Sequence, residues 1–155
     1  VGLDKLELKV IPVGVVFIAA AIMKAVAWLM PQLKFSLGGS HYLAIAFVLI
    51  GTLIVLSGAF SFRRARTTLD PRHPDATEHL VTEGIYQFTR NPMYLGFLFI
   101  LFGWFCFLNN WLAMVGLVFY WLYMNRFQIK PEERYMLAKF GDAYKQYKAS
   151  VRRWL

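Results

Sequence analysis

Apolar residues in this chain gather into long unbroken runs rather than into the alternating or evenly mixed patterns of a soluble domain. The first run is VIPVGVVFIAAAIMKAVAWLM over Val10–Met30, and the second is YLAIAFVLIGTLIVLSGAFSF over Tyr42–Phe62. Each has the length of roughly 20 apolar residues that lets a helix cross a bilayer. Run length and the internal Lys24 favour a membrane span over a cleaved signal peptide for the first. A third run covers Pro92–Leu108 and a fourth Trp111–Phe127, with only Asn109–Asn110 between them. These two form a tight helical hairpin, each arm at the short end for a full span, and a re-entrant hairpin is the alternative. The expected fold is therefore all-α: a membrane bundle of four transmembrane helices in one domain.

Beyond the fourth run the pattern changes. Met136, Leu137, Phe140, Tyr144, Tyr147 and Val151 recur at three- and four-residue steps, with Lys139, Lys145, Lys148, Arg152 and Arg153 on other faces. That spacing predicts an amphipathic helix over 131–155 lying at the membrane interface. Gly141–Asp142 is a candidate break within it.

Composition agrees with a membrane protein. Hydrophobic residues make up 58% and charged residues 17%, against roughly 45–50% and about 25% in soluble domains. Mean hydropathy is +0.46. The net charge of +8 reads as positive loops rather than as a nucleic-acid surface, because its placement is one-sided. Lys5, Lys9, Arg63, Arg64, Arg66, Arg72, Arg90 and the tail cations fall on one side, and Lys34 alone on the other. Both chain ends and the loop between the second and third helices are then cytoplasmic. Cys106 is the single cysteine, which excludes an intrachain disulfide and a cysteine-based zinc site. Gly51 and Gly58, and likewise Gly96 and Gly103, share a helical face and suit close helix packing.

Two polar segments on the cytoplasmic side could carry chemistry. In LVTEGIYQFTRNPMYLG over Leu80–Gly96, Asn91 suits an N-cap and Pro92 the first helical turn. A helix start with Arg90 beside it also suits a carboxylate or phosphate. In KPEERYMLAKFGDAYKQY over Lys130–Tyr147, Glu132 and Glu133 stand in the first turn of a helix. There they either compensate the helix dipole or meet the hydroxyls or positive charge of a ligand. His41 falls on the outer side. His73 and His79, near Asp70, Asp75 and Glu78, fit no zinc-ligand spacing and read as a solvated polar loop.

Together these segments resemble the isoprenylcysteine carboxyl methyltransferase and phospholipid N-methyltransferase superfamily of integral membrane enzymes. The resemblance rests on Leu80-Val81-Thr82-Glu83-Gly84-Ile85-Tyr86 and Arg90-Asn91-Pro92-Met93-Tyr94-Leu95-Gly96. After one hairpin follow Glu132-Glu133, Phe140-Gly141, Tyr144 and Tyr147. It covers roughly Thr67 to Leu155, and Asn91 stands where many members have histidine.

The resemblance implies S-adenosylmethionine as methyl donor and S-adenosylhomocysteine as product. Leu80, Val81, Tyr86, Arg90, Asn91, Pro92, Tyr94 and Gly96 would line the donor pocket on one side, with Glu132 and Glu133 on the other. The acceptor would be a lipid or small apolar molecule arriving through the bilayer, past Tyr120, Trp121, Tyr123, Asn125 and Arg126. Arg126 and Lys139 are candidates for an anionic acceptor group, with an interfacial cation as the equal alternative for each. No strand-linked G-x-G-x-x-G occurs, so a soluble dinucleotide-type fold is excluded. Two other readings stay open: a nicotinamide-dependent membrane reductase of the sterol-reductase type, and a non-catalytic membrane interaction protein.

Overall fold

The computed structural model describes residues 7–65 and 79–155. Arg66, Arg72, His73, Asp70, Asp75 and Glu78 lie outside the described residues, as does Lys5. Helix α1 spans Pro12–Leu29, α2 Ser40–Arg64, α3 Pro92–Leu108, α4 Met114–Tyr123 and α5 Lys130–Ser150. No strand occurs among the described residues, only an isolated bridge between Lys34 and Asn110. The fold is an all-α membrane bundle. Helices α1 and α2 are long and apolar enough to cross a membrane, and α3 is a shorter apolar helix.

Apolar side chains cover the outside as well as the inside, as expected where lipid rather than water is the solvent. Phe17, Trp28, Leu53 and Phe60 are exposed, while Val15, Ala19, Met23, Leu101 and Tyr120 fill the core between α1, α3 and α4. Helix α2 packs chiefly on α3. That seam depends on glycine. A Cβ on Gly51 would lie 2.5 Å from the Gly96 carbonyl oxygen, and one on Gly96 would lie 2.5 Å from the Gly51 carbonyl oxygen. The two backbones touch, which places Gly96 in the helix seam. An apolar groove of about 450 Å³ opens between α1, α2 and α3, lined by Val16, Ala44, Val48, Ile100 and Trp104 among others.

The hairpin turn is built from its two asparagines. Asn109 takes the left-handed conformation at φ 49° and closes α3. Asn110 is fully buried; its side chain accepts from the Leu112 N–H and donates to the Met30 carbonyl at 2.9 Å.

The largest departure from the sequence reading follows α4. The chain continues through a π-helical segment, Met124–Ile129, directly into α5. Proline explains the wide turn, since Pro131 has no N–H to give the Phe127 carbonyl. That carbonyl accepts instead from the Leu8 N–H at 3.0 Å. Because α5 has no free N-terminus, dipole compensation by Glu132 and Glu133 loses its basis. The expected break is real: Gly141 has φ 52° and ψ −123° inside α5. The helix also stops sooner than 131–155 implies. Val151 is extended at φ −122° and ψ 134°, and the residues after it fold back toward α3. The apolar face of α5 is taken up by the protein, Tyr144 and Tyr147 packing with Tyr86, Leu80, Val81, Ile85 and Phe62.

The glycine seam predicts an asymmetry between two glycines. Gly96→Val should destabilise the detergent-purified protein by about 1–3 kcal/mol or more, as overpacking does. Gly14→Ala meets only an ordinary contact, Val10 Cγ1 at 3.6 Å, and should be neutral or stabilising by up to ~1 kcal/mol. Thermal unfolding followed by circular dichroism checks both; equal effects would remove the seam as the cause.

Candidate active site

At one end of the bundle, four stretches converge: the short 3₁₀ turn Gly84–Gln87, the start of α3 just after it, the start of α5, and Val151–Leu155. Glu133 is the hub. It is buried at 8% exposure and draws three cations. Arg90 Nη2 donates to its Oε1 at 3.0 Å, Arg153 Nε to Oε1 at 2.9 Å and Arg153 Nη2 to Oε2 at 2.8 Å. Lys148 Nζ stands 3.4 Å from Oε2. Such a carboxylate has about four acceptor positions, and the two arginines fill three of them. Burial acts to raise its pKa, but the Arg153 hydrogen bond and the charges of Arg90, Arg153 and Lys148 outweigh it and hold the carboxyl low.

The neighbouring carboxyl behaves oppositely. Glu132 is partly buried, and the Tyr94 hydroxyl donates to its Oε1 at 2.6 Å. Burial pushes it up to about 8; the Tyr94 hydrogen bond opposes this and the Glu133 charge adds to it. Adjacent glutamates thus differ in charge state near neutral pH, one an anion among cations and the other largely protonated. Tyrosines wall the site. Tyr144 is pushed up to about 12, mainly by burial, and Tyr86 and Tyr147 are raised for the same reason. The Tyr147 hydroxyl donates to the Tyr86 carbonyl at 2.7 Å, which ties α5 to the turn before α3.

The start of α3 corrects the expected cap. The Asn91 side chain makes no capping bond; it donates to the Arg153 carbonyl at 2.9 Å. Thr89 Oγ1 takes over locally, accepting from the Asn91 N–H at 3.2 Å. The physical reason is the returning segment: turning Nδ2 to the Arg153 carbonyl aims the side chain away from the Met93 and Tyr94 N–H groups that a cap would serve.

Of the residues expected around the donor, Tyr86, Arg90, Asn91, Pro92, Tyr94, Glu132 and Glu133 lie in or beside this cluster. Leu80 and Val81 pack on its tyrosine wall. Gly96 does not join it. Arg126 pairs with Glu7, which also pairs with Arg134, and its guanidinium lies over the Phe127 ring. Lys139 is on an exposed face of α5. Tyr120 is buried, its hydroxyl donating to the Tyr94 carbonyl at 3.0 Å. Asn125 Oδ1 accepts from Arg153 Nη1 and Trp154 Nε1. His79 is exposed. Sequence reading missed Arg153 as a site residue: inside the Arg152–Arg153 pair it counted only as tail charge.

One unmet demand stands out. The Arg90 side chain is only 8% exposed, yet among the described residues its Nε and Nη1 have no hydrogen-bond partner. Buried arginine N–H groups left unpaired are costly, so the site suits an anionic group there. A carboxylate beside Arg90, with hydroxyl groups near Glu132, fits the residues present.

The raised Glu132 predicts a pH dependence. Between the ordinary value of 4.5 and about 8, the native state keeps a proton that the unfolded chain has lost. That stabilisation is complete below the lower value and is lost as pH rises through the upper one. The melting temperature should therefore fall from about pH 5 to 8, by about 2–4 °C for each kcal/mol lost. Glu132→Gln, neutral throughout, should flatten that fall; an equal fall in both proteins would mean Glu132 is ionised in the native state over this range.

Residues 40–143 match the phospholipid methyltransferase family. An uncharacterized protein of Haemophilus influenzae is 51% identical over 63 residues, 41% of this chain and 100% of that protein. The protein-S-isoprenylcysteine O-methyltransferase of Schizosaccharomyces pombe is 38% identical over 74 residues, 46% of this chain and 30% of its own length. That of Saccharomyces cerevisiae is 29% identical over 134 residues, 81% of this chain and 54% of its own length. The chain thus spans about a third to a half of these two methyltransferases. No solved structure matches it. The family match runs from the glycine seam of α2, through Arg90 and the α3–α4 hairpin, to both glutamates and Gly141, and the chain belongs to the phospholipid methyltransferase family.

Proposed function

We propose that the protein transfers a methyl group from S-adenosylmethionine to an apolar acceptor at the cytoplasmic face of the membrane. The observation that carries this reading is the pair of unpartnered Arg90 donors, Nε and Nη1, in a buried site beside Glu132. Arg90 would hold the donor's carboxylate, and Glu132, with one oxygen on Tyr94, would meet its ribose hydroxyls. The donor, when bound, supplies an activated methyl sulfonium, and displacement by an acceptor atom leaves a neutral thioether.

What the chain itself does is bind, align and exclude water. The tyrosine wall of Tyr86, Tyr94 and Tyr144 limits water around the reacting groups. The apolar outer surface lets a hydrophobic acceptor approach from the bilayer. The named relatives act on an isoprenylcysteine, which supports an acceptor of that apolar kind. With four spans and both ends cytoplasmic, Arg90 and the glutamates would lie where the donor is made.

Thermal shift of the detergent-purified protein tests donor class. S-adenosylmethionine or S-adenosylhomocysteine should raise the melting temperature and NADPH should not; the reverse would favour the reductase reading. Arg90→Lys keeps the charge but offers a single compact ammonium. It should weaken S-adenosylhomocysteine binding by about tenfold or more, ~1.4 kcal/mol per decade. Wild-type affinity in that variant would remove Arg90 from the donor site.

Topology has its own check. In a Cys106→Ala background, cysteines at Gly38 and Ser150 should react with an impermeant maleimide from opposite sides of the membrane. Labelling of both from one side would rule out the four-span arrangement.

A further inference from the structure

The segment Val151–Leu155 is held against the site by backbone and side-chain hydrogen bonds. The Arg90 N–H donates to the Arg152 carbonyl at 3.0 Å. The Arg153 carbonyl accepts from Asn91 Nδ2 at 2.9 Å and Thr89 Oγ1 at 3.3 Å. The Trp154 indole donates to Asn125 at 3.2 Å. These contacts fix the backbone on both sides of Arg153, so its guanidinium is aimed rather than free to wander.

Its target is already a partner of Arg90. Left to themselves, a buried arginine and a buried carboxylate favour a two-pronged contact, the strong form of this pair. In this site Arg153 has taken that form, its Nε and Nη2 reaching the two oxygens of Glu133. Among the described residues the Arg90 side chain is left with one hydrogen bond, from Nη2 to Oε1. Its Nε and Nη1 stay unpartnered in a buried position. Lys148 approaches Oε2 more loosely and from a more exposed position.

We propose that Arg153 is a positioning residue for donor binding: by occupying both oxygens of Glu133, it limits the hold of Glu133 on Arg90 to a single bond and keeps the other Arg90 donors open for the donor's carboxylate. The inference rests on the donor reading above and assigns Glu133 a supporting part in it. Glu133 and Arg153 form a counterweight that neutralises the site and orients Arg90, and neither touches the donor. Loss of Arg153 lets Glu133 close on Arg90 and competes with the ligand.

The distinguishing experiment is a double-mutant cycle on the whole chain in detergent, with S-adenosylhomocysteine as probe in calorimetric titration. The wild type must bind for the donor reading to stand; its failure to bind sinks that reading, independently of Arg153. Given wild-type binding, Arg153→Gln should weaken it by about tenfold or more, about 1.4 kcal/mol. Glu133→Gln alone removes the competitor together with the contact that orients Arg90, and should weaken binding less than Arg153→Gln does. In the Glu133→Gln background, Arg153→Gln should cost less than about threefold, because the competitor is gone; such non-additivity marks a shared contact. A residue that merely props up the tail would show its full penalty in both backgrounds, and that result overturns the proposal. So does abolished binding in Glu133→Gln alone, which would put Glu133 on the ligand itself. Should Arg153→Gln fail to fold, Arg153→Lys completes the cycle. It keeps the charge and every backbone contact but grips one oxygen only, and is expected to give an intermediate loss that Glu133→Gln again suppresses.

Discussion

One buried carboxylate organises the functional end of this protein. Glu133 accepts from Arg90 at the start of α3 and from Arg153 beyond the end of α5, with Lys148 nearby. A single anion facing three cations would be a poor bargain in water, where each pair is worth little. Within a protein wall the balance changes, since removing any one partner leaves charge uncompensated in a poorly solvated place. The cluster therefore behaves as a unit. It holds three stretches of chain together, and it leaves a positive surplus on Arg90 that an anionic ligand can satisfy.

How Glu133 arrives there depends on a defect in the helix before it. Pro131 cannot complete the hydrogen bond to Phe127, and the chain answers with a π-helical turn whose orphaned carbonyl is met by Leu8. Widened turns of this kind shift the facing of the residues that follow. In the same turn Asn125 faces Arg153 and Trp154, so the feature that admits the proline also provides an anchor for the returning segment. Arg126, next in sequence, points to the Glu7 pairing instead.

The two glutamates show how far environment outweighs residue type. Both occupy the same helical turn and carry the same chemical group. Glu133 is surrounded by cations and stays ionised, while Glu132 has a tyrosine hydroxyl for company and is shifted to about 8. The division follows from like charge, since two carboxylates side by side in a poorly solvated place oppose each other's ionisation. One anion balances the arginines, and a second full negative charge is avoided.

Much of the architecture was legible in the sequence because lipid imposes a simple rule: a spanning segment must be apolar throughout and must satisfy its own backbone. The runs at Val10–Met30, Tyr42–Phe62 and Pro92–Leu108 therefore matched α1, α2 and α3 closely, and the glycines announced the α2–α3 seam. Gly141 marked the kink in α5, since only glycine accepts that backbone geometry readily. The Arg90 and Glu132–Glu133 segments were recognisable as motifs. What the sequence could not contain was their wiring. Periodicity describes neighbours along one helix, whereas the grip of Arg153 on Glu133 joins residues brought together only when α5 stops at Ser150 and the chain turns back. Asn91 reads as a cap until a carbonyl from that returning segment competes for its amide. Local rules decided the helices; the partner of each buried polar group was decided by which distant segment could reach it, and that exists only in the folded bundle.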